Sequence, residues 1–494
     1  MVFNSIDFLI FFPIVICIYY IIPKKARKFW LLVASYYFYM SWNATYALLI
    51  LASTVITYAS GILLTKSDKV STRKWIVAGS FISNLGILVF FKYFDFLISN
   101  LNSIFNVFGI SSINNPVNVL LPVGISFYTF QALGYTVDCY RKDIEAEKNF
   151  INYALFVSFF PQLVAGPIEK SKNLLSQLNK LDSEKMFSYE KTVSGFSLMC
   201  WGMFMKVVIA DHLAVFVDGV WDNLHMAGFS ATLFAAIGFS IQIYCDFAGY
   251  SAIAIGAARM MGFDLMENFN TPYFAESIKD FWKRWHISLS TWFKDYLYIP
   301  LGGSRCSRIK KYRNIMITFL LSGLWHGANW TYVIWGAVHG VFQVIGDLLK
   351  PVYDKLGKAM NVNKESFSTH FGKAFVTFFL TTFAWIFFKA ETVSDAFLFI
   401  KHLVTKPDPW ALFNGSLYNF GIDTTDFHVL LLGILLLIVV DALRYVKKCD
   451  FGAILLREEF WFRMIILIVL IVMCVIYGAY GINFDSAQFI YFQF

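Results

Sequence analysis

The sequence predicts an all-α polytopic membrane protein, with roughly 11–13 transmembrane or re-entrant helices around a central conduit and amphipathic interfacial helices beside them. Three observations carry this expectation. The 494 residues are 58% hydrophobic and 19% aromatic but only 15% charged, against about 25% charged in a typical soluble domain. Apolar runs of the length a tilted helix needs to cross ~30 Å of hydrocarbon recur along the chain. The cations gather in short loops between those runs.

The first span is expected at about 5–22, closed by Pro23 and the cations Lys24, Lys25, Arg27 and Lys28. With no basic segment ahead of it and no small-residue cleavage site behind, it reads as a retained span. The second and third, about 29–42 and 45–64, meet at a polar hinge, Trp42-Asn43, and the loop 65–74 carries four more cations. Both basic loops then fall on the cytoplasmic face, with the N-terminus outside. A fourth span, about 75–95, leads into an Asn-rich stretch ending near Asn118 that reads as an external loop. The segment 119–137 is apolar but interrupted by Gly124, Ser126, Gln131 and Gly134, and Asp138, Tyr140 and Arg141 follow it. Polar atoms at that density suit a helix facing protein or a cavity.

From 150 to 168 the chain is too short and too broken by Pro161, Gly166 and Pro167 to cross, and the loop behind it holds Lys170, Lys172, Lys180, Lys185 and Lys191. A re-entrant segment reconciles the two facts and implies an intramembrane cavity. Spans follow at about 194–220 and 228–246, with a broken pair around 247–262. The region 276–313 differs. It is rich in cations, and Phe281, Trp282, Trp285, Leu289, Trp292, Phe293 and Tyr296 recur at near-helical spacing. This predicts an amphipathic helix in the cytoplasmic interface. Spans at about 314–325, 331–349, 373–389, 427–446 and 460–480 complete the chain, with 350–370 and 401–426 as exposed polar linkers. No internal repeat is present, which speaks against the inverted-repeat transporters.

The formal net charge of +8 is accounted for by the positive-inside bias of loops, so nucleic acid is not an expected partner. An anionic substrate or headgroup attracted by the same loops is compatible with that bias. The seven cysteines are scattered, without the spacing of a zinc site or a disulfide framework. No nucleophile elbow, phosphate-binding loop or glycosidase carboxylate pair is found.

The candidate chemistry lies in residues 244–335. His326 is framed by Trp325 and Trp330 and flanked by Gly323 and Gly327, with Asn329 beside it. As an interface histidine it would belong to an aromatic belt. As a neutral imidazole in a dry pocket it would serve as general base toward an attacking hydroxyl. His286, beside Lys283 and Arg284, is either a residue snorkelling at the surface or one that faces an anionic donor. Together with Arg305 these two cations form a basic rim suited to phosphates. His339 reads as a packing histidine. Asp246, at the end of an apolar span, must pair or face water, and a structural ion pair with a loop cation is favoured. The same alternatives hold for Asp138 with Arg141.

Six motifs then make the sequence recognisable. They are Ser126-Phe-Tyr-Thr-Phe-Gln131 with Asp138-Cys-Tyr-Arg141, Phe160-Pro-Gln-Leu-Val-Ala-Gly-Pro167, Asp246-Phe-Ala-Gly-Tyr-Ser251, Phe281-Trp-Lys-Arg-Trp-His-Ile-Ser-Leu-Ser-Thr-Trp292, Tyr298-Ile-Pro-Leu-Gly-Gly303 and Leu324-Trp-His-Gly327. As a set they resemble the membrane-bound O-acyltransferase superfamily, in its bacterial branch of alginate and peptidoglycan O-acetyltransferase membrane subunits. The likeness runs from the first span to about residue 390. It implies one acyltransferase domain over 1–494, with its motifs at about 119–349 and more generic helices at about 373–494. It further implies that His326 is the catalytic histidine, with His286 the second motif histidine on the cytoplasmic side. Gln131, Asp138, Asp246, Trp325 and Asn329 are expected to line the conduit or support it, and no metal is expected.

The expected reaction is acyl transfer across a bacterial inner (plasma) membrane. The donor is a cytosolic thioester, acetyl-CoA, docked at Lys283, Arg284 and Arg305. The acceptor is a hydroxyl on the far side, on a polysaccharide or on an extracytoplasmic O-acetyltransferase partner. Two alternatives stay open: D-alanyl transfer towards teichoic acids, and a transporter or flippase that uses the histidines as proton relays.

Overall fold

The computed structural model describes residues 1–113, 121–164, 166–183, 187–479 and 490. Every regular element among them is a helix. Among the described residues, eight helices are long and apolar enough to cross a membrane: Ala44–Lys66, Val70–Val107, Tyr189–Asp222, Phe229–Met260, Trp330–Ala359, Phe367–Lys389, Thr424–Lys447 and Phe460–Tyr477. A shorter apolar helix, Ile6–Ile21, precedes them. The chain is therefore an all-α, multi-pass membrane protein. Its exposed side chains are those of a protein in lipid, with Ile6, Phe29, Leu48, Ile82, Phe367 and Trp461 all turned outward.

Several expected boundaries move. The fourth helix continues from Val70 to Val107 through a wide, π-type turn at Val89–Tyr93, so the Asn-rich stretch begins inside a helix. The end of that stretch near Asn118, the start of 119–137, Ala165 of the Pro-rich motif and Lys185 lie outside the described residues. The broken pair at 247–262 is instead the continuation of one 32-residue helix to Met260. The expected linker 350–370 is helical as far as Ala359 and again from Phe367, and both ends of the expected loop 401–426 are helical, in Val393–Thr405 and from Thr424.

The chain divides into two units. The first comprises 1–192, 257–266 and 327–329. In it, Phe150–Ser158 and Phe160–Leu163 are short buried helices separated at Phe159, as the prolines and glycine of that segment lead one to expect. The Phe156 carbonyl at the break accepts hydrogen bonds from Gln131 Nε2 (2.6 Å) and Gln162 Nε2 (2.7 Å), which satisfies backbone that a continuous helix would have paired. Gly124, at φ +73°, abuts the same region; a Cβ there would lie 2.6 Å from the Leu163 carbonyl oxygen. Arg73 donates to the carbonyls of Tyr140 (2.6 Å) and Cys139 (3.2 Å), where the helix Ile125–Arg141 ends.

The second unit comprises 193–256, 267–326 and 330–494. Its first two long helices meet backbone to backbone. A Cβ on Gly202 would lie 2.5 Å from the Gly249 carbonyl oxygen, and one on Gly256 2.5 Å from that of Gly195. Small residues allow this approach in lipid, where packing and not water exclusion drives association.

Candidate active site

His326 is the last residue of the helix Arg308–His326, and the helix Trp330–Ala359 packs against it in the opposite direction. Two glycines remove all space between them. A Cβ on Gly323 would lie 2.2 Å from the Tyr332 carbonyl oxygen, and one on Gly336 2.2 Å from that of Phe319. The contact brings Trp335 edge-to-face with His326, ring centroids 4.9 Å apart at 87°. Phe388 of the helix Phe367–Lys389 packs on the imidazole at 5.3 Å, and Trp325 at 5.0 Å. His326 is 3% exposed. One turn beyond Trp335, His339 is wholly buried, and its Nδ1 accepts the indole N–H of Trp282 at 3.3 Å, as a packing histidine would.

Around His286 the structure departs from the expected amphipathic helix. Two short helices, Ile278–Arg284 and Ile287–Phe293, are separated at His286, which takes φ +41°. The aromatic residues Phe281, Trp282, Trp285 and Phe293 are buried in protein, and so is His286, at 0% exposed. The residues 308–313 belong to the His326 helix. His286 Nδ1 lies 3.0 Å from Asn268 Oδ1, and Phe247 meets its ring edge-to-face at 4.6 Å. Trp325 stands 6.0 Å from His286 and 5.0 Å from His326 by ring centroids, so one indole touches both histidines.

Asp246 does form an ion pair, although its partner is not a loop cation. Lys206 sits in a π-type turn, Met205–Ala210, inside the helical stretch Tyr189–Asp222. Its Nζ lies 2.6 Å from Asp246 Oδ1 and 2.8 Å from Asp211 Oδ1, with Lys206 1% exposed. The backbone N–H of Ile490 donates to Asp246 Oδ2 at 2.8 Å. Sequence reasoning passed over Lys206 and Asp211, although two ionisable residues within an apolar span are signal enough.

The remaining candidates separate. Lys283 and Arg305 are exposed. Arg284 is half-buried and given to the fold: its Nε bonds Asp280 Oδ2 at 3.0 Å and its guanidinium lies 5.4 Å from the Tyr445 ring. Gln131 and Asp138 are buried in the first unit, where Asp138 accepts from the Ser171 hydroxyl. Asn329 lies half-buried in the turn 327–329. Glu276, ahead of the first short helix, is tied to His370 (2.7 Å) and Lys373 (3.2 Å). Burial opposes its charge, yet those two partners hold its carboxyl below the usual glutamate range. Among the described residues, no group of three or more His, Cys, Asp and Glu side chains gathers as metal ligands would.

Two imidazoles enclosed by indole and phenyl rings, one of them at a helix end fixed by close glycine contacts, are groups that can accept and return a proton away from bulk water. A protein-family model described as MBOAT, membrane-bound O-acyltransferase family, matches residues 34–389. Among known proteins, Probable alginate O-acetylase AlgI of Pseudomonas aeruginosa is 41% identical over 400 residues, covering 80% of this chain and 73% of that one. The Pseudomonas putida protein of the same name is 41% identical over 425 residues, 85% of this chain and 81% of its own. Peptidoglycan O-acetyltransferase of Helicobacter pylori is 34% identical over 429 residues, covering 80% and 78%.

Proposed function

The chain belongs to the membrane-bound O-acyltransferase family, and from that premise we propose that it carries acetyl groups from acetyl-CoA in the cytosol to a hydroxyl at the extracytoplasmic face of a bacterial inner membrane. The acetyl group is destined for a cell-surface or secreted polysaccharide, in line with the names of the alginate and peptidoglycan relatives. The acceptor hydroxyl belongs to the glycan or to a separate extracytoplasmic O-acetyltransferase that completes the transfer.

One observation carries the reading: His326 is enclosed by Trp325, Trp335 and Phe388 at a helix end fixed by Gly323 and Gly336, all within the matched residues. In that enclosure His326 takes the proton of the acceptor hydroxyl as its oxygen attacks the thioester carbonyl. The carbon–sulfur bond breaks and the proton passes to the sulfur, leaving an ester and free coenzyme A thiol. His286 is the second histidine of the reaction. The exposed Lys283 and Arg305 meet the donor's phosphates, and Arg284, engaged by Asp280, contributes less.

The test is thioester consumption by purified protein in nanodiscs given radiolabelled acetyl-CoA. Wild type should consume donor, and His326→Ala should bind it without turnover. No consumption by wild type, even with an extracytoplasmic partner present, would reject acetyl-CoA. It would turn attention to a carrier-protein thioester, as in D-alanyl transfer, or to transport.

A further inference from the structure

His286 has two ring nitrogens, and the hydrogen bonds around Asn268 decide which of them holds the proton. The loop 267–271 runs beside 284–288. Asn270 N–H donates to the Arg284 carbonyl and Ile287 N–H to the Asn268 carbonyl, each at 2.9 Å, on either side of the positive-φ turn at His286. A helix outside the family-matched residues clamps the same loop. Arg444 Nη2 donates to Glu267 Oε1 (3.0 Å) and the Phe269 carbonyl (2.9 Å), and Asp441 steadies Arg444 at 3.3 Å.

The orientation of the Asn268 amide follows from its neighbours. Ser288 N–H, which can only donate, lies 3.4 Å from Asn268 Oδ1, and the Ser288 hydroxyl donates to the same oxygen at 2.9 Å. On its other side Asn268 Nδ2 donates to Ser251 Oγ at 3.0 Å. Turning the amide over would set its NH2 against the Ser288 N–H, so the oxygen faces the ring. A carbonyl oxygen only accepts, so the His286 nitrogen 3.0 Å away must be an N–H donor.

We propose that Asn268 is a positioning residue that fixes the His286 proton on Nδ1, so that Nε2 presents its lone pair as the acceptor. The tautomer follows from this geometry. Its weight in acyl transfer rests on the reading of His286 as a residue of the reaction. A ring fixed in this way can accept a hydrogen bond or a proton at Nε2, and it cannot donate one there while neutral.

Ring-15N spectra of histidine-labelled protein test the tautomer without any turnover, with the His286 signals identified by their absence in His286→Gln. We expect Nδ1 protonated and Nε2 with a lone pair in wild type, and a mixture of tautomers in Asn268→Leu. Protonated Nε2 in wild type, or an Asn268→Leu spectrum unchanged from wild type, would overturn the proposal. Should the Leu variant not fold, Asn268→Ala, which also removes the acceptor, is judged by the same criterion, and protonated Nε2 in wild type overturns the proposal by itself.

Turnover gives the second readout. Asn268→Leu should lower transfer about 10–100-fold with donor binding retained. Asn268→Asp should keep transfer but move the acid limb of its pH profile upward. A carboxylate beside the ring favours imidazolium, so the neutral form is lost at a higher pH. Equal losses in both variants with an unmoved pH profile would reduce Asn268 to packing. Intact transfer in His286→Gln would instead sink the role assigned to His286, while the spectra still settle the tautomer.

Discussion

Among the described residues of the second unit, the lysine–aspartate cluster around Lys206 and the histidine cluster around His326 are built on opposite plans. Lys206, Asp211 and Asp246 answer one another as charges, with the ammonium 2.6–2.8 Å from both carboxylates. His286, His326 and His339 are set among rings, with Trp325, Trp335, Phe388, Phe247 and Trp282 among their aromatic neighbours. Fixed charges in a dry interior hold each other in place, and changing the protonation of one strands the others. A neutral imidazole among aromatic rings can take and return a proton while its surroundings stay put. The first plan suits a joint between helices, and the second suits a reaction.

Substitutions should therefore separate the two clusters. The largest effect is expected from His326→Ala, with transfer down by about 10²–10⁴-fold and the unfolding midpoint in detergent held. A variant that lost stability and kept transfer would break the comparison. Lys206→Met should do the reverse. Two facing carboxylates left without their cation cost about 3–5 kcal/mol, read by thermal unfolding, with transfer per folded molecule retained. Adding Asp211→Asn and Asp246→Asn should recover most of that loss.

Gly323→Val tests the ground between, because it inserts atoms where the Tyr332 carbonyl already stands. It should cost about 1–3 kcal/mol by unfolding and also lower transfer, since His326 sits one turn beyond the contact. The smallest effect belongs to Glu276→Gln, a few tenths of a kcal/mol to about 1 kcal/mol for a partly exposed pair. Its sign with pH is set by the lowered carboxyl: the contribution is present above the ordinary glutamate range and is lost as the pH falls through the folded value. Unfolding midpoints of variant and wild type should thus converge in acid.

Most of the long helices could be read from the sequence because apolar length is a local signal, and His326 stands out there by its aromatic-glycine setting. The break at His286 could not. Phe281, Trp285 and Leu289 keep helical spacing straight across it, and a single residue at positive φ leaves no trace in a hydrophobic pattern. Asn268 escaped for a related reason: it lies in a loop, and its meaning comes from a ring and a serine many residues away. Lys206 was legible and overlooked, its charge hidden by the apolar residues around it. The loop cation expected for Asp246 came from a neighbouring span because Gly202 and Gly249 bring the two backbones together.

The wide turn at Met205–Ala210 also bears on how the protein is made. Lys206 emerges from the ribosome and must enter the bilayer before the helix bearing Asp246 exists, and a bare charge at mid-span costs about 2.5–3.5 kcal/mol on the insertion scale. In a regular α-helix a residue five positions on has turned away from the first. The extra residue in this turn brings Asp211 back onto the same side, 2.8 Å from Lys206. The span thus carries a counter-ion for Lys206 within its own helical stretch, and the lysine is paired before any contact with the helix bearing Asp246 is counted.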